Sequence, residues 1–162
     1  MRNSIPPSHI ESPQHKRVTI RNRQMGKFAF ARTNFWNNNR SCYSVWNQHM
    51  GMAEVRRREK MGREPCWHFR PPVHGNLIGA SYIVFSYGTH FPLYVYDNKS
   101  GLWFENNESY SQTTTQHLTY ARPWDSENSC YVKTLKCSNA SMRKVAQLGM
   151  VYAVQNILMD KV

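Results

Sequence analysis

Two kinds of hydrophobic spacing alternate along this chain. Over residues 81–87 (SYIVFSY), β-branched and aromatic side chains fill nearly every position, the pattern of a strand buried on both faces. Gly88-Thr89-His90 turns the chain into a second strand over 91–96, whose Pro92 lacks an amide donor and so belongs at a strand start or an edge. Asp97-Asn98-Lys99-Ser100-Gly101 reads as a hairpin loop, 102–105 as a third strand and 130–135 as a fourth. Helical spacing lies on either side. Ser41 is a good N-cap, and from Cys42 the residues Val45, Trp46, His49, Met50 and Ala53 follow at helical intervals, which predicts an amphipathic helix ending near Arg56-Arg57-Arg58-Glu59-Lys60. Ser111 caps a short helix over 112–121, closed by Arg122-Pro123 because the residue before proline avoids the α region. Ser138 or Asn139 caps a long helix to about residue 160, in which Met142, Val145, Ala146 and Leu148 leave a narrow polar stripe of Lys144, Gln147 and Gln155. A helix so apolar packs across a sheet or at a homodimer interface.

These elements predict an α+β fold: a small antiparallel meander of three to four strands packed by a short helix and a long C-terminal helix, with a basic N-terminal arm and helix. The expected division is a basic mobile arm over 1–27, a basic aromatic helical segment with a Pro-rich loop over 28–75, and an α+β core domain over 76–162. A chain of 162 residues has room for one such core. An aromatic content of 13% supplies the apolar surface that disordered segments lack.

Charge changes this picture by its position. The formal net charge of +11 resides almost wholly before residue 76, where fourteen Lys and Arg face four Glu; the remainder carries seven against six acids. Local basicity of this kind points to a polyanion, nucleic acid first. The cations that would meet it are Lys16, Arg17, Arg21, Arg23, Lys27, Arg32, Arg40, Arg56, Arg57 and Arg58. Several stand among Phe28, Phe30, Phe35 and Trp36, an arrangement that can stack on bases or staple the segment to a core. The Arg56–58 run also has an ordinary use, since cations suit the negative end of a helix dipole.

The catalytic signals are sparse. Ser111, Thr113, Thr114 and Thr115 place hydroxyls beside His117 at a helix start, making His117 the one candidate catalytic residue, but no orienting acid accompanies it, and helix capping with His117 as a half-buried packing residue is the favoured reading. Cys66, His68 and His74 form the only soft-ligand cluster; without paired knuckle spacings no metal is expected, and no phosphate-loop, nucleophile-elbow or other cofactor motif is present. The four cysteines form no CxxC pair and no apolar leader precedes them, so reduced thiols in a cytoplasmic setting are expected. Residues 145–159 are too short and too polar to span a bilayer.

The stretch 86–122 resembles a short domain of unknown function that recurs in bacteriophage and bacterial mobile-element proteins. Ser86, Tyr87, Thr89, Trp103, Tyr110, Ser111, Thr113, Thr114 and His117 carry the likeness, with His90 and Phe91 inserted before Pro92. The resemblance implies provenance, a phage or mobile element acting in a bacterial cytoplasm, and imports no activity. Three functions follow as expectations: first nucleic-acid binding through the basic half; next a protein that binds and inhibits or redirects a host protein complex, or forms part of a larger assembly, through Trp36, Trp46 and Trp67 as interface anchors; and last a nucleic-acid-modifying enzyme around His117.

Overall fold

A computed structural model describes residues 17–63, 69–108 and 111–150. Its framework is a seven-stranded mixed sheet, accompanied by a two-stranded ribbon and four α-helices. The expected meander of three or four antiparallel strands is therefore too small, and in the described part of the basic N-terminal half residues 18–20, 35–37 and 42–48 are strands of this sheet. Strand β1 (Val18–Ile20) leads through a 3-10 turn at Asn22–Gln24 into helix α1 (Met25–Phe30), and β2 (Phe35–Asn37) returns parallel to β1. Strand β3 (Cys42–Gln48) occupies the segment for which helical spacing predicts a helix. The reason lies in its composition. Cys42, Ser44 and Trp46 pack toward one side of the sheet while Tyr43 and Val45 meet the other, so apolar groups on two faces also satisfy a helical period. Only its tail is helical, as α2 (Met52–Lys60), with Arg57, Arg58 and Lys60 in the last turn.

Strands β4 (Ala80–Ser86), β5 (Pro92–Asp97) and β6 (Leu102–Asn106) form the antiparallel centre, close to the expected positions. Pro92 opens β5 opposite Phe85, where the register shifts and Leu93 is passed over, so the missing amide falls at an irregularity. Helix α3 (Gln112–Tyr120) follows, its N-cap Ser111 accepting a hydrogen bond from the Thr114 amide. The ribbon β7 (Trp124–Asp125) and β8 (Cys130–Tyr131) comes next, and β9 (Thr134–Cys137) then joins β6 in parallel. The single fourth strand expected over 130–135 thus resolves into two strands in different sheets. Helix α4 (Asn139–Leu148) closes the described chain. Gly149, at φ +86°, ends it and lies so near His49 that a Cβ would stand 2.7 Å from the imidazole ring. The expected helix is therefore interrupted at Gly149, with Met150 helical again, and its continuation to about residue 160 lies outside the described residues.

The sheet runs β1-β2-β3-β4-β5-β6-β9 and has a core on each face. One face carries Ile20, Phe35, Trp46, Tyr82, Val84, Leu93, Tyr94 and Trp103 beneath Met25 and Ala29 of α1 and Ala121 at the end of α3. The other carries Ile83, Phe85, Val95 and Phe104 beneath Met142, Val145 and Ala146 of α4, which thus spends its apolar side on the sheet. Among the described residues, no helix is long and apolar enough to cross a membrane.

A candidate nucleic-acid interface

The basic residues of the N-terminal half divide into three settings. In the first, Arg21, Arg23 and Lys27 project from the turn and helix that join β1 to β2. Met25, Gly26 and Ala29 face the core, so residues 23 and 27, four apart, fall on the opposite, exposed side. Among the described residues no carboxylate lies within ion-pair distance of these three cations. They border two adjoining concavities. One, of about 320 Å³, is lined by Arg21, Asn22, Arg23, Asn37, Asn38, Asn39 and Tyr120. The other, of about 410 Å³, is lined by Arg23, Gly26, Lys27, Tyr120, Arg122, Trp124 and Tyr131 among others. Arg23 and Tyr120 belong to both, so the two adjoin, and together they border α1, the end of α3 and the β7–β8 ribbon as a groove.

The groove exists because α1 sits directly against the end of α3. A Cβ built on Gly26 would fall inside the van der Waals envelope of the Arg122 carbonyl oxygen and 3.3 Å from that of Tyr120, so only glycine permits this approach. Tyr120 is 46% exposed and Tyr131 54%, unusually open for such large rings beside a cavity. The Tyr131 ring meets Trp124 edge-on at 4.8 Å, and the Arg122 guanidinium lies 5.7 Å from its centroid. Arg122 is partly committed to the fold, since it reaches the buried carboxylate of Glu105 at 3.4 Å while Thr134 donates to that carboxylate from the other side at 2.8 Å. Beyond Trp124 the surface becomes mixed: Lys27 and Arg32 share a cavity with Asp125 and Glu127. The Asp125 carboxyl is held below its ordinary range, first by the Asn128 side-chain amide, and it closes the ribbon turn.

In the second setting, arginine staples the sheet. Arg17 donates to the Ser44 carbonyl at 2.9 Å and lies 4.5 Å over Trp36 and 5.4 Å over Tyr43; burial lowers its pKa. Arg40 covers Trp36 at 4.9 Å and adopts φ +59° in the β2–β3 turn, while Arg32, at φ +52° after α1, packs 4.5 Å from the Tyr96 ring. Trp36 is accordingly half-buried between two guanidinium groups. Trp46 is 6% exposed in the core, its indole donating to the Arg32 carbonyl, because residue 46 belongs to an inward-facing strand position rather than a helix surface. It is thus no surface anchor. Lys16 and Trp67 lie outside the described residues, as do Cys66 and His68.

The third setting is α2, which packs through Val55 against Met50 and Leu148. Arg58 pairs with Glu54 one turn earlier at 3.3 Å, and Arg70 reaches the same carboxylate at 3.8 Å. Arg56 and Arg57 remain exposed on this helix.

His117 sits in a closed network and is 2% exposed. Its Nε2 is 3.1 Å from the Ser41 hydroxyl and its Nδ1 2.8 Å from that of Ser86. The Ser41 hydroxyl donates to Asn39 Oδ1 and accepts from Asn37 Nδ2, which leaves it to accept from His117; the ring therefore carries its proton on Nε2 and accepts from Ser86 on Nδ1. Burial holds its pKa below the ordinary histidine value. Tyr87, at φ +66°, packs its ring against it in a tilted contact with centroids 5.6 Å apart. With no carboxylate on either nitrogen and both hydroxyls buried, the arrangement joins α3 to the strand ends. A second histidine, His49, brings Nε2 to 2.6 Å from the Ser81 hydroxyl and 3.9 Å from Asp97, but both partners address the same nitrogen and Ser81 is fully buried. A catalytic triad needs the acid on the other nitrogen and an accessible hydroxyl. Among the described residues no group of three metal-ligating side chains converges.

Of the ten cations singled out from sequence, the fold brings Arg21, Arg23 and Lys27 to one groove and places Arg17, Arg32, Arg40 and Arg56–58 elsewhere, while Lys16 lies outside the described residues. Tyr120, Arg122, Trp124 and Tyr131 were missed. The signal was available in the alternation Tyr120-Ala121-Arg122-Pro123-Trp124, which interleaves rings and a cation as residues 28–40 do. Comparison of the chain with protein-family models, with curated proteins and with solved structures gives no match.

Proposed function

We propose that this protein binds nucleic acid through the groove between α1, the end of α3 and the β7–β8 ribbon. The observation that carries the proposal is the row Arg21, Arg23 and Lys27, three exposed cations without acidic partners along a concavity that also presents two open tyrosines. Exposed cations without acidic partners suit phosphates, whose neutralisation releases counterions and makes affinity strongly salt-dependent. The likeness of residues 86–122 to phage and mobile-element domains supports a setting in which such binding would be used. Of the residues of that likeness, Ser86 bonds His117 of α3 while Ser111 and Thr114 cap the start of that helix, whose last residue is Tyr120.

The test is fluorescence anisotropy with a labelled 20-mer between 50 and 300 mM salt. Three to four phosphate contacts give a slope of log affinity against log salt of roughly −2 to −4, by about −0.7 per contact on a single strand and −0.9 on duplex. The double variant R23A/K27A is expected to make that slope shallower by roughly 1.4–1.8. An unchanged slope would sink the proposed site.

A further inference from the structure

Resting on that reading, we infer that the groove takes single-stranded nucleic acid, with two bases stacking on Tyr120 and Tyr131 while Arg21, Arg23 and Lys27 hold the backbone beside them. The argument starts from what the site exposes. Tyr120 and Tyr131 are exposed rings that line one cavity of this groove, at 46% and 54% exposure, one at the end of α3 and one on the ribbon. A ring face left to water beside unpaired cations suits a ligand with flat apolar faces and a negative backbone. Unpaired bases offer such faces; in a duplex each face is already covered by the next base pair, and only edges and phosphates are presented.

Shape supports the same choice. A duplex is read by an element that stands out from the protein and enters a groove about 12 Å wide. Here the cations border a recess whose floor is backbone, where Gly26 meets the carbonyls of Tyr120 and Arg122. Such a recess admits a single strand laid along it. At the upper end the exposed amide of Asn38 can meet base edges, whereas Asn37 and Asn39 are already committed to the Ser41 network. Asp125 and Glu127 close the other end to phosphate. Most of the recognition therefore comes from stacking and charge, and the site is expected to be tolerant of sequence.

The experiment compares fluorescein-labelled dT20 with a 20-base-pair duplex at 50 mM salt, using the full chain and the variants Y120A, Y131A, Y120F, Y131F and R23A/K27A. Melting temperatures are measured for each, because Tyr131 also packs on Trp124. Tighter binding of dT20 than duplex is expected. Y120A and Y131A should each weaken dT20 roughly 5- to 150-fold, as the loss of one stacked base implies, with little change in salt slope; the phenylalanine variants, which keep the ring face, should restore it. If Y131A unfolds the ribbon, Y120A and the pair of phenylalanine variants decide the matter. Duplex binding as tight as dT20, or alanine variants that bind dT20 like the parent while R23A/K27A does not, would overturn the single-strand inference and leave nucleic-acid binding standing. Failure of both probes to bind with any salt dependence would remove both.

Discussion

Replacing Gly26 with Ala tests the geometry on which the groove depends. In an unconstrained helix this change stabilises by about 1 kcal/mol, because alanine is the better helix former. Here the new methyl would be driven into the Arg122 carbonyl oxygen, a backbone atom that cannot rotate away. Restoring a contact of about 3.5 Å requires α1 to move by roughly 1 Å from the end of α3. Overpacking of this kind costs typically about 1–3 kcal/mol, and a rigid acceptor places it toward the upper end. Offset by the gain in helix propensity, the net loss is about 2 kcal/mol, which for a chain of this length lowers the melting temperature by roughly 4–8 °C. Thermal unfolding followed by circular dichroism measures it. Gly51→Ala is the control: nothing lies within 4 Å of a Cβ there, so no steric cost arises, and at this N-cap position the change is expected to stay within about 1 kcal/mol. A G26A protein as stable as the parent, or more so, would refute the close approach of α1 to α3 and with it the shape of the groove floor.

The histidines give a pH prediction. His49 and His117 both have pKa values held below the ordinary 6.5, in each case first by burial, and at His49 Asp97 offsets this only in part. The unfolded chain then binds more protons below that value, so stability is full above about pH 6.5 and falls as the pH drops, by up to about 1.4 kcal/mol per pH unit for each histidine. Urea unfolding at pH 5 and 7.5 checks this; stability equal at the two, or greater at pH 5, would contradict the buried neutral assignments. Arg122→Ala removes the cation facing the buried Glu105 carboxylate and should cost about 1–3 kcal/mol, discounted for the partial exposure of the arginine. Adding Glu105→Gln should recover part of that loss in the same unfolding assay, since a neutral amide needs no cation; no recovery would show that the pair does not matter.

Local signals were enough for part of this protein. The strands near 81–87, 91–96 and 102–105 were legible because successive antiparallel strands are joined by short turns, and each turn residue acts on its own neighbours. The caps Ser111 and Ser138 were legible for the same reason: each side chain accepts from an amide three residues on. A basic surface, too, was written in the charge asymmetry. The remainder depended on partners distant in sequence. β3 is a strand because it pairs with β4 along its whole length, across a separation of about forty residues; its two apolar faces had left helix and strand equally open. β1 and β9 are sheet strands because parallel crossovers return them to β2 and β6, and three or four residues carry too weak a period to announce this. His117 became a joint once Ser41, 76 residues away, met its Nε2. The groove followed the same rule: the sequence named the cations, while folding selected three of them and set Tyr120 and Tyr131 beside them, because burial and proximity belong to the packed chain and not to any one of its segments.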